Sequence, residues 1–319
     1  MATPIEVSFV IPCYSSENTI VEVVDRLINT VEKRLRQEQY EIILVDDCSP
    51  DGTFKVLCGL TETKSNIKVI GLAKNFGQQA AILAGFKTVF GSIVVCLDDD
   101  GQTRPEDIFK LLDKIEEGYD LVYARYPKLE NSTFRKFGSF MNDRMANWLL
   151  GKPHNIMLSS FFACKSFLVE CVTKYRNPYP YLPGLMIAST SKIANVEVQH
   201  AARLRGKSGY TVGKLLSLWL NGFTAFSIKP LRISSALGVI FAFLGLIASI
   251  VVVIRRILDP LVPMGWSSIA CLILVLGGMI LFSLGLIGEY LGRSYISLNS
   301  IPQYVIRNTV SIDEKDSQS

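Results

Sequence analysis

Histidine is almost missing from this chain, which has only His154 and His200 among 319 residues. Histidine is the commonest general acid or base, so an enzyme built on a histidine relay is a poor fit, and both residues read as polar structural groups. Cysteine occurs seven times, at Cys13, Cys48, Cys58, Cys96, Cys164, Cys171 and Cys271, with no C-x-x-C pair. An odd count without that spacing argues against a disulfide framework and against structural zinc. No G-x-G-x-x-G opens the first strand-to-helix turn, which argues against a dinucleotide-binding dehydrogenase. Blocks of like charge are absent too: 33 Lys and Arg against 29 Asp and Glu leave a formal net charge of +4. With the basic residues spread along the chain, no nucleic-acid partner is expected. Residues 1–6 carry no basic patch followed by an apolar run, so no signal peptide is read there and the amino-terminal part is expected to stay in the cytosol.

Charge itself disappears from two long stretches, residues 233–254 and 261–288. Each exceeds the ~20 residues needed to cross a bilayer. A short segment with Pro260 and Pro263 joins them, so they are expected to form an antiparallel transmembrane hairpin with both chain ends on one side. Flanking that side are Lys214, Lys229, Arg232, Arg293 and Arg307, against Arg255 and Arg256 in the connecting loop. This bias favours cytosolic termini and an integral membrane protein. Small residues at Gly238, Ala242 and Gly245, and at Gly285, Gly288 and Gly292, permit close helix packing. The expected organisation is a cytosolic catalytic domain over 1–210, a juxtamembrane amphipathic segment over 211–232, spans at 233–254 and 266–288, an external loop at 255–265 and a cytosolic tail over 289–319, disordered after Thr309. Residues 215–226 read either as a helix on the membrane surface or as a core helix of the soluble domain.

The rest of the chain alternates. A buried strand at 7–11 is followed by apolar Ile20, Val23, Val24, Leu27, Val31 and Leu35 at helical spacing. Strands at 42–45, 67–72, 93–97 and 121–124 then alternate with helices at 53–60, 78–90 and 106–117. That order predicts an α/β domain with a mostly parallel, Rossmann-like sheet and helices on both faces. Residues 134–150 read as a helix, while three prolines within 177–183 argue against one there. Ligands in such sheets bind beyond the carboxyl ends of the strands. There the chain places Pro12-Cys13-Tyr14, Asp46-Asp47-Cys48-Ser49, Asn75-Phe76-Gly77 and Asp98-Asp99-Asp100. Three adjacent carboxylates after a buried strand call for a counter-charge, and oxygen ligands suit Mg²⁺ or Mn²⁺ holding substrate phosphates.

Those motifs, together with Pro50-Asp51-Gly52-Thr53, Gln78-Gln79-Ala80-Ala81 and Asp98-x-Asp100-x-Gln102, strongly resemble the family 2 inverting glycosyltransferases with a GT-A fold. Arg203-x-x-Gly206-x-Ser208-x-Tyr210, then Pro230-Leu231-Arg232 and a two-span hairpin, resemble the polyprenyl-phosphate glycosyltransferases within that family. That group includes dolichyl-phosphate mannose synthases and bacterial undecaprenyl-phosphate glucosyl and aminoarabinosyl transferases. The resemblance covers roughly residues 5–307.

It implies a cell-envelope enzyme of the bacterial inner membrane that moves a sugar from a nucleotide diphosphate sugar, UDP-linked, to a polyprenyl phosphate such as undecaprenyl phosphate. It further implies that Pro12, Tyr14, Asp47 and Asn75 hold the nucleotide together with Asp98. Asp98, Asp100 and Gln102 would bind Mg²⁺ or Mn²⁺ and the diphosphate. Arg125, Arg135 and Arg203 would face phosphates, with Ser208 supporting, and Arg203 would share in catalysis. A planar guanidinium suits that task. Asp46 and Asp51 would shape the turn. Relatives also imply a homo-oligomer such as a tetramer. The chain departs from them at Ser15-Ser16 before Glu17, at 155–162 (NIMLSSFF) and at Gly209, beside Lys207. A polysaccharide synthase of the same family and a catalytically silent membrane scaffold are the competing readings. The first would need more spans and a Gln-x-x-Arg-Trp motif, and the second would be free to lose Asp98, Asp100, Gln102 and Arg203.

Overall fold

The computed structural model describes residues 5–126, 156–176, 180–199, 265–298 and 302–311, with isolated positions between 234 and 258. The chain divides into two units, Met1–Gly209 with Ser300–Ser319, and Tyr210–Asn299.

In the first unit, β1 (Val7–Cys13) is buried along its whole length, and α1 (Ile20–Val31) follows it. Ile20, Val23, Val24, Leu27 and Val31 form one buried face of α1, each worth about 1.5–3 kcal/mol of burial. Then come β2 (Tyr40–Asp46), α2 (Thr53–Thr63), β3 (Ile67–Leu72), α3 (Gln78–Phe86) and β4 (Ile93–Cys96). A short 3-10 turn, Pro105–Asp107, leads into α4 (Ile108–Glu116) and β5 (Leu121–Arg125). Farther along lie β6 (Phe162–Lys165), α5 (Ser166–Thr173), α6 (Leu182–Ser189) and β7 (Ile193–Glu197).

The strand order is β7-β5-β6-β4-β1-β2-β3-β8, where β8 is Ile306–Val310. Strands β1, β2, β3 and β4 run parallel, as the alternation predicts. Three strands are added to the expected sheet: β7 extends it parallel to β5, and the other two are antiparallel. Strand β6 is inserted antiparallel between β4 and β5, and β8 pairs antiparallel with β3. Strand β8 stands outside the strand-helix alternation that reveals a parallel sheet, and β6, although α5 follows it directly, runs against the parallel order, a direction that periodicity alone does not reveal. Because β4 and β5 both run antiparallel to β6, they point the same way, and their carboxyl ends share one edge. Helix α3 packs so closely on the sheet that a Cβ at Gly85 would lie 2.6 Å from Val10 Cγ1.

Boundaries shift where local chemistry intervenes. Helix α3 ends at Phe86 rather than at 90. Leu182 and Pro183 belong to α6, contrary to the irregular segment expected over 177–183, because proline is tolerated in a helix's first turn. Part of the expected tail instead supplies β8. Its Val305 carbonyl accepts the Ala73 N–H at 2.8 Å, Gln303 Nε2 donates to the Tyr175 carbonyl at 3.0 Å, and Lys87 sits 5.3 Å from the Tyr304 ring centroid.

The second unit contains α7 (Trp266–Leu298), which continues ten residues past the expected end of the second span, to 298 rather than 288. Its 33 residues correspond to about 50 Å of helix. The described positions from 234 to 258 are all helical, including Leu258 inside the expected loop. Ser234 Oγ lies 2.8 Å from Ser283 Oγ. Ile269, Ile273, Ile280, Leu281, Phe282 and Leu291 are exposed. Among the described residues, no helix is long and apolar enough to cross a membrane. The helix expected over 134–150 and the amphipathic segment over 211–232 also lie outside the described residues.

Candidate active site

The carboxyl edge of the sheet gathers the loops after β1, β2, β3 and β4. Asp47, 4% exposed, stands at its centre. Its Oδ1 accepts the Phe76 N–H at 2.7 Å and its Oδ2 accepts the Gly77 N–H at 2.8 Å. Gly77 has φ +90, a conformation that glycine adopts without steric cost. Asp47 thus shapes the Asn75–Gly77 loop as well as lining the carboxyl edge of the sheet. Burial raises its carboxyl above the ordinary value, an effect that the two N–H bonds partly offset. Asn75 is exposed beside it.

Asp46 accepts the Ser49 N–H at 3.3 Å, and Asp51 accepts the N–H and hydroxyl of Thr53 at 3.1 and 2.6 Å. Both are turn builders, as their position suggests. Glu17 Oε2 accepts the Gly52 N–H at 2.7 Å, tying the first loop to the second. Pro12 lies within β1, opposite Val45, and Tyr14 is half exposed just beyond the strand.

The loop after β4 is stitched to the loop after β1. Asp99 Oδ2 accepts the Tyr14 N–H at 2.9 Å, and Thr19 Oγ1 donates to the Asp99 carbonyl at 2.9 Å. Burial pushes the Asp99 carboxyl up to about 6, with the Tyr14 N–H acting in the opposite direction. Asp100 Oδ1 accepts the Gln102 N–H at 3.0 Å across Gly101, so Gln102 reaches the loop through its backbone. Asp98 Oδ1 accepts from Gln78 Nε2 at 2.8 Å, and its Oδ2 accepts from Ser160 Oγ.

Among the described residues, no three His, Cys, Asp or Glu side chains converge as a ready metal site. Mg²⁺ needs no such cage, since it is usually held by one or two carboxylates together with substrate phosphates and water. In these two bonds the donors to Asp98 are neutral side chains, so neither forms an ion pair with it. With Asp100 two residues away, the donor set fits a small hard cation.

Arg125 ends β5, exposed. Continuing the β5–β6 and β4–β6 registers puts Arg125, Ser160 and Asp98 in one row across three strands, with Arg125 about 10 Å from Asp98 at two strand spacings. The Arg125 carbonyl accepts the Val198 N–H at 3.0 Å, and Asp107 Oδ2 accepts the Gln199 N–H at 3.1 Å. Arg104 also donates to Gln199 Oε1. These bonds anchor the chain that leads on to Arg203. Arg135, Arg203 and Ser208 lie outside the described residues, as do His154 and His200. The site therefore unites Pro12, Tyr14, Asp47, Asn75, Asp98, Asp100, Gln102 and Arg125 on one edge. Gln78 and Ser160 join it without having been assigned a role from sequence. Gln78 opens the Gln78-Gln79-Ala80-Ala81 motif and Ser160 lies within 155–162, but the pairing of Ser160 with Asp98 becomes visible only through the β6 register.

Residues 8–171 match glycosyl transferase family 2, and the chain belongs to that family; it is a glycosyltransferase with a mixed α/β, GT-A-like sheet. Residues 229–294 match the GtrB C-terminal hairpin. The undecaprenyl-phosphate 4-deoxy-4-formamido-L-arabinose transferase of Proteus mirabilis (strain HI4320) is 32% identical over 314 residues, covering 96% of this chain and 94% of that protein. The uncharacterized glycosyltransferase YkcC of Bacillus subtilis (strain 168) is 30% identical over 316 residues, covering 99% of this chain and 97% of that one. Among solved structures, mannosyl-3-phosphoglycerate synthase from Rubrobacter xylanophilus aligns with a TM-score of 0.54 at 18% identity, over 73% of this chain and 75% of that one. Glucosyl-3-phosphoglycerate synthase from Mycobacterium tuberculosis, in complex with Mn²⁺, uridine-diphosphate-glucose and phosphoglyceric acid, aligns with a TM-score of 0.51 at 18% identity, over 69% and 77%. These two likenesses concern the fold alone.

Proposed function

We infer that the chain transfers a sugar from a UDP-linked donor to a polyprenyl phosphate, of the undecaprenyl type, at the cytosolic face of a membrane, with inversion at the anomeric carbon. The observation that carries this reading is the near full-length similarity, catalytic sheet and hairpin segment alike, to transferases named for undecaprenyl phosphate. The exposed apolar face of α7 supports a membrane hairpin formed with the uncharged stretch before it, because an apolar surface of that kind is unfavourable in water. Pairing of β8 with β3 returns the chain to the unit it left, which supports an even number of crossings. The small-residue faces of the two stretches leave room for a homo-oligomer.

In the reaction an acceptor phosphate oxygen forms a bond to the anomeric carbon as the bond from that carbon to the nucleoside diphosphate breaks. A phosphate monoester, with its second pKa near ~6, is already largely dianionic at neutral pH, so no general base is required. The enzyme must supply alignment and stabilisation of the departing diphosphate. Tyr14, Asp47 and Asn75 line the nucleotide's place at the sheet edge, and Asp98 and Asp100 face the diphosphate. Mg²⁺ or Mn²⁺, when bound there, neutralises charge developing on the leaving group. Arg125, joined by Arg135 and Arg203 with Ser208, supplies cationic and hydroxyl donors to phosphate oxygens. Incubating membranes with radiolabelled nucleotide sugars and extracting lipid tests the reading. Label should enter the organic phase in wild type and fall to background in Asp100→Asn. Full transfer by that variant, or no lipid-linked label with any donor, overturns it.

A further inference from the structure

The antiparallel insertion of β6 has a consequence for Asp98. Strands β4 and β6 pair Cys96 with Phe162 and Val94 with Cys164. Two residues further toward the carboxyl edge, the same register sets Ser160 opposite Asp98, where its hydroxyl donates to Oδ2. Gln78 approaches from the other side as the first residue of α3, donating Nε2 to Oδ1 at 2.8 Å. The position of Gln78 is fixed in turn by Asp47, which grips the two preceding amides at 2.7 and 2.8 Å. We propose that Gln78 and Ser160 are positioning residues that clamp the Asp98 carboxylate in one orientation for a divalent cation and the donor diphosphate.

One donor on each oxygen fixes the plane of the carboxylate, which a single bond would leave free to turn. Both donors are neutral, so neither forms an ion pair with the group they orient; a lysine or arginine in either place would do so and compete with the cation. A carboxylate offers about four acceptor sites on its two oxygens, of which these two bonds take one on each oxygen. Partners of this kind behind a ligating carboxylate are commonly worth 10–100-fold in metal affinity or activity.

The inference rests on the metal-dependent transfer described above, and the experiment separates the two. Mn²⁺ uptake by the purified full-length chain is titrated with uridine diphosphate present, reading the free-ion signal by electron paramagnetic resonance. Ser160→Val and Gln78→Leu should each weaken Mn²⁺ binding by about tenfold. Ser160→Thr, which keeps the hydroxyl and matches valine in shape, should stay near wild type and so exclude a packing effect. Wild-type affinity in both Ser160→Val and Gln78→Leu, alongside loss in Asp100→Asn, overturns the clamp and leaves the transferase reading standing. A wild-type chain that takes up no Mn²⁺ with the nucleotide overturns the metal role and the clamp together.

Discussion

Asp47 illustrates how a single carboxylate serves both fold and site. A buried acid accepting two backbone N–H groups from a loop 29 and 30 residues away holds the end of β3 against the end of β2. Asp47→Asn preserves volume but turns one acceptor into a donor, so one amide faces an NH₂ group. Leaving a buried donor unsatisfied costs about 1–3 kcal/mol. The expected outcome is a lower thermal midpoint in detergent and weaker nucleotide binding by calorimetry. An unchanged midpoint would show that the loop holds its shape without this carboxylate. Asp99 plays a comparable part for the loop after β4: its carboxylate on the Tyr14 amide and its carbonyl under the Thr19 hydroxyl join two loops that the sequence separates by 85 and 80 residues. Its neighbours on either side are then presented from a fixed backbone. Its place within the acidic triplet was legible in the sequence; its inward-facing role was not, since three consecutive Asp residues look alike until the backbone assigns each a direction.

At the level of elements, β8 stands out. It arrives after the hairpin segment yet completes the sheet, pairing Val69 with Val310 and Ile70 with Thr309. Its flank satisfies the Ala73 N–H, two residues before Asn75, so the strand buttresses the same loop that Asp47 holds. A chain terminated after residue 300 loses this strand and turns β3 into an exposed edge, which native proteins normally cover. Thermal scanning of that variant should show a midpoint several degrees lower, with reduced nucleotide affinity. Equal stability would mean that β8 contributes pairing without support. Surface pairs such as Arg26–Glu106, at 3.1 Å and partly exposed, contribute about 0–1 kcal/mol and are secondary to these contacts.

For the whole molecule, the decisive fact is connectivity. The chain leaves the catalytic unit near residue 209 and rejoins it at 300, so whatever lies between must begin and end on the same side of any membrane it crosses. Cysteines introduced in the tail should resist a membrane-impermeant reagent added to intact cells, whereas cysteines placed within 255–265 should react. Labelling of the tail alone would reverse the proposed orientation. The basic bias toward the terminal side points the same way, and it rests on evidence independent of the β8 pairing.

Periodicity and residue chemistry were enough to determine the four-stranded parallel core, the helix faces that pack on it, the acidic loop at the end of β4 and the two uncharged stretches. Each of these is encoded within a window of a few to some twenty residues, where burial and solvation leave a direct trace in the order of side chains. The antiparallel strand β6 between β4 and β5, the return of β8 to the edge of β3, and the bond from Ser160 to Asp98 across 62 residues were decided only in the folded chain. Strand pairing depends on which distant edge is available when the sheet closes, and a local sequence pattern carries no record of its partner.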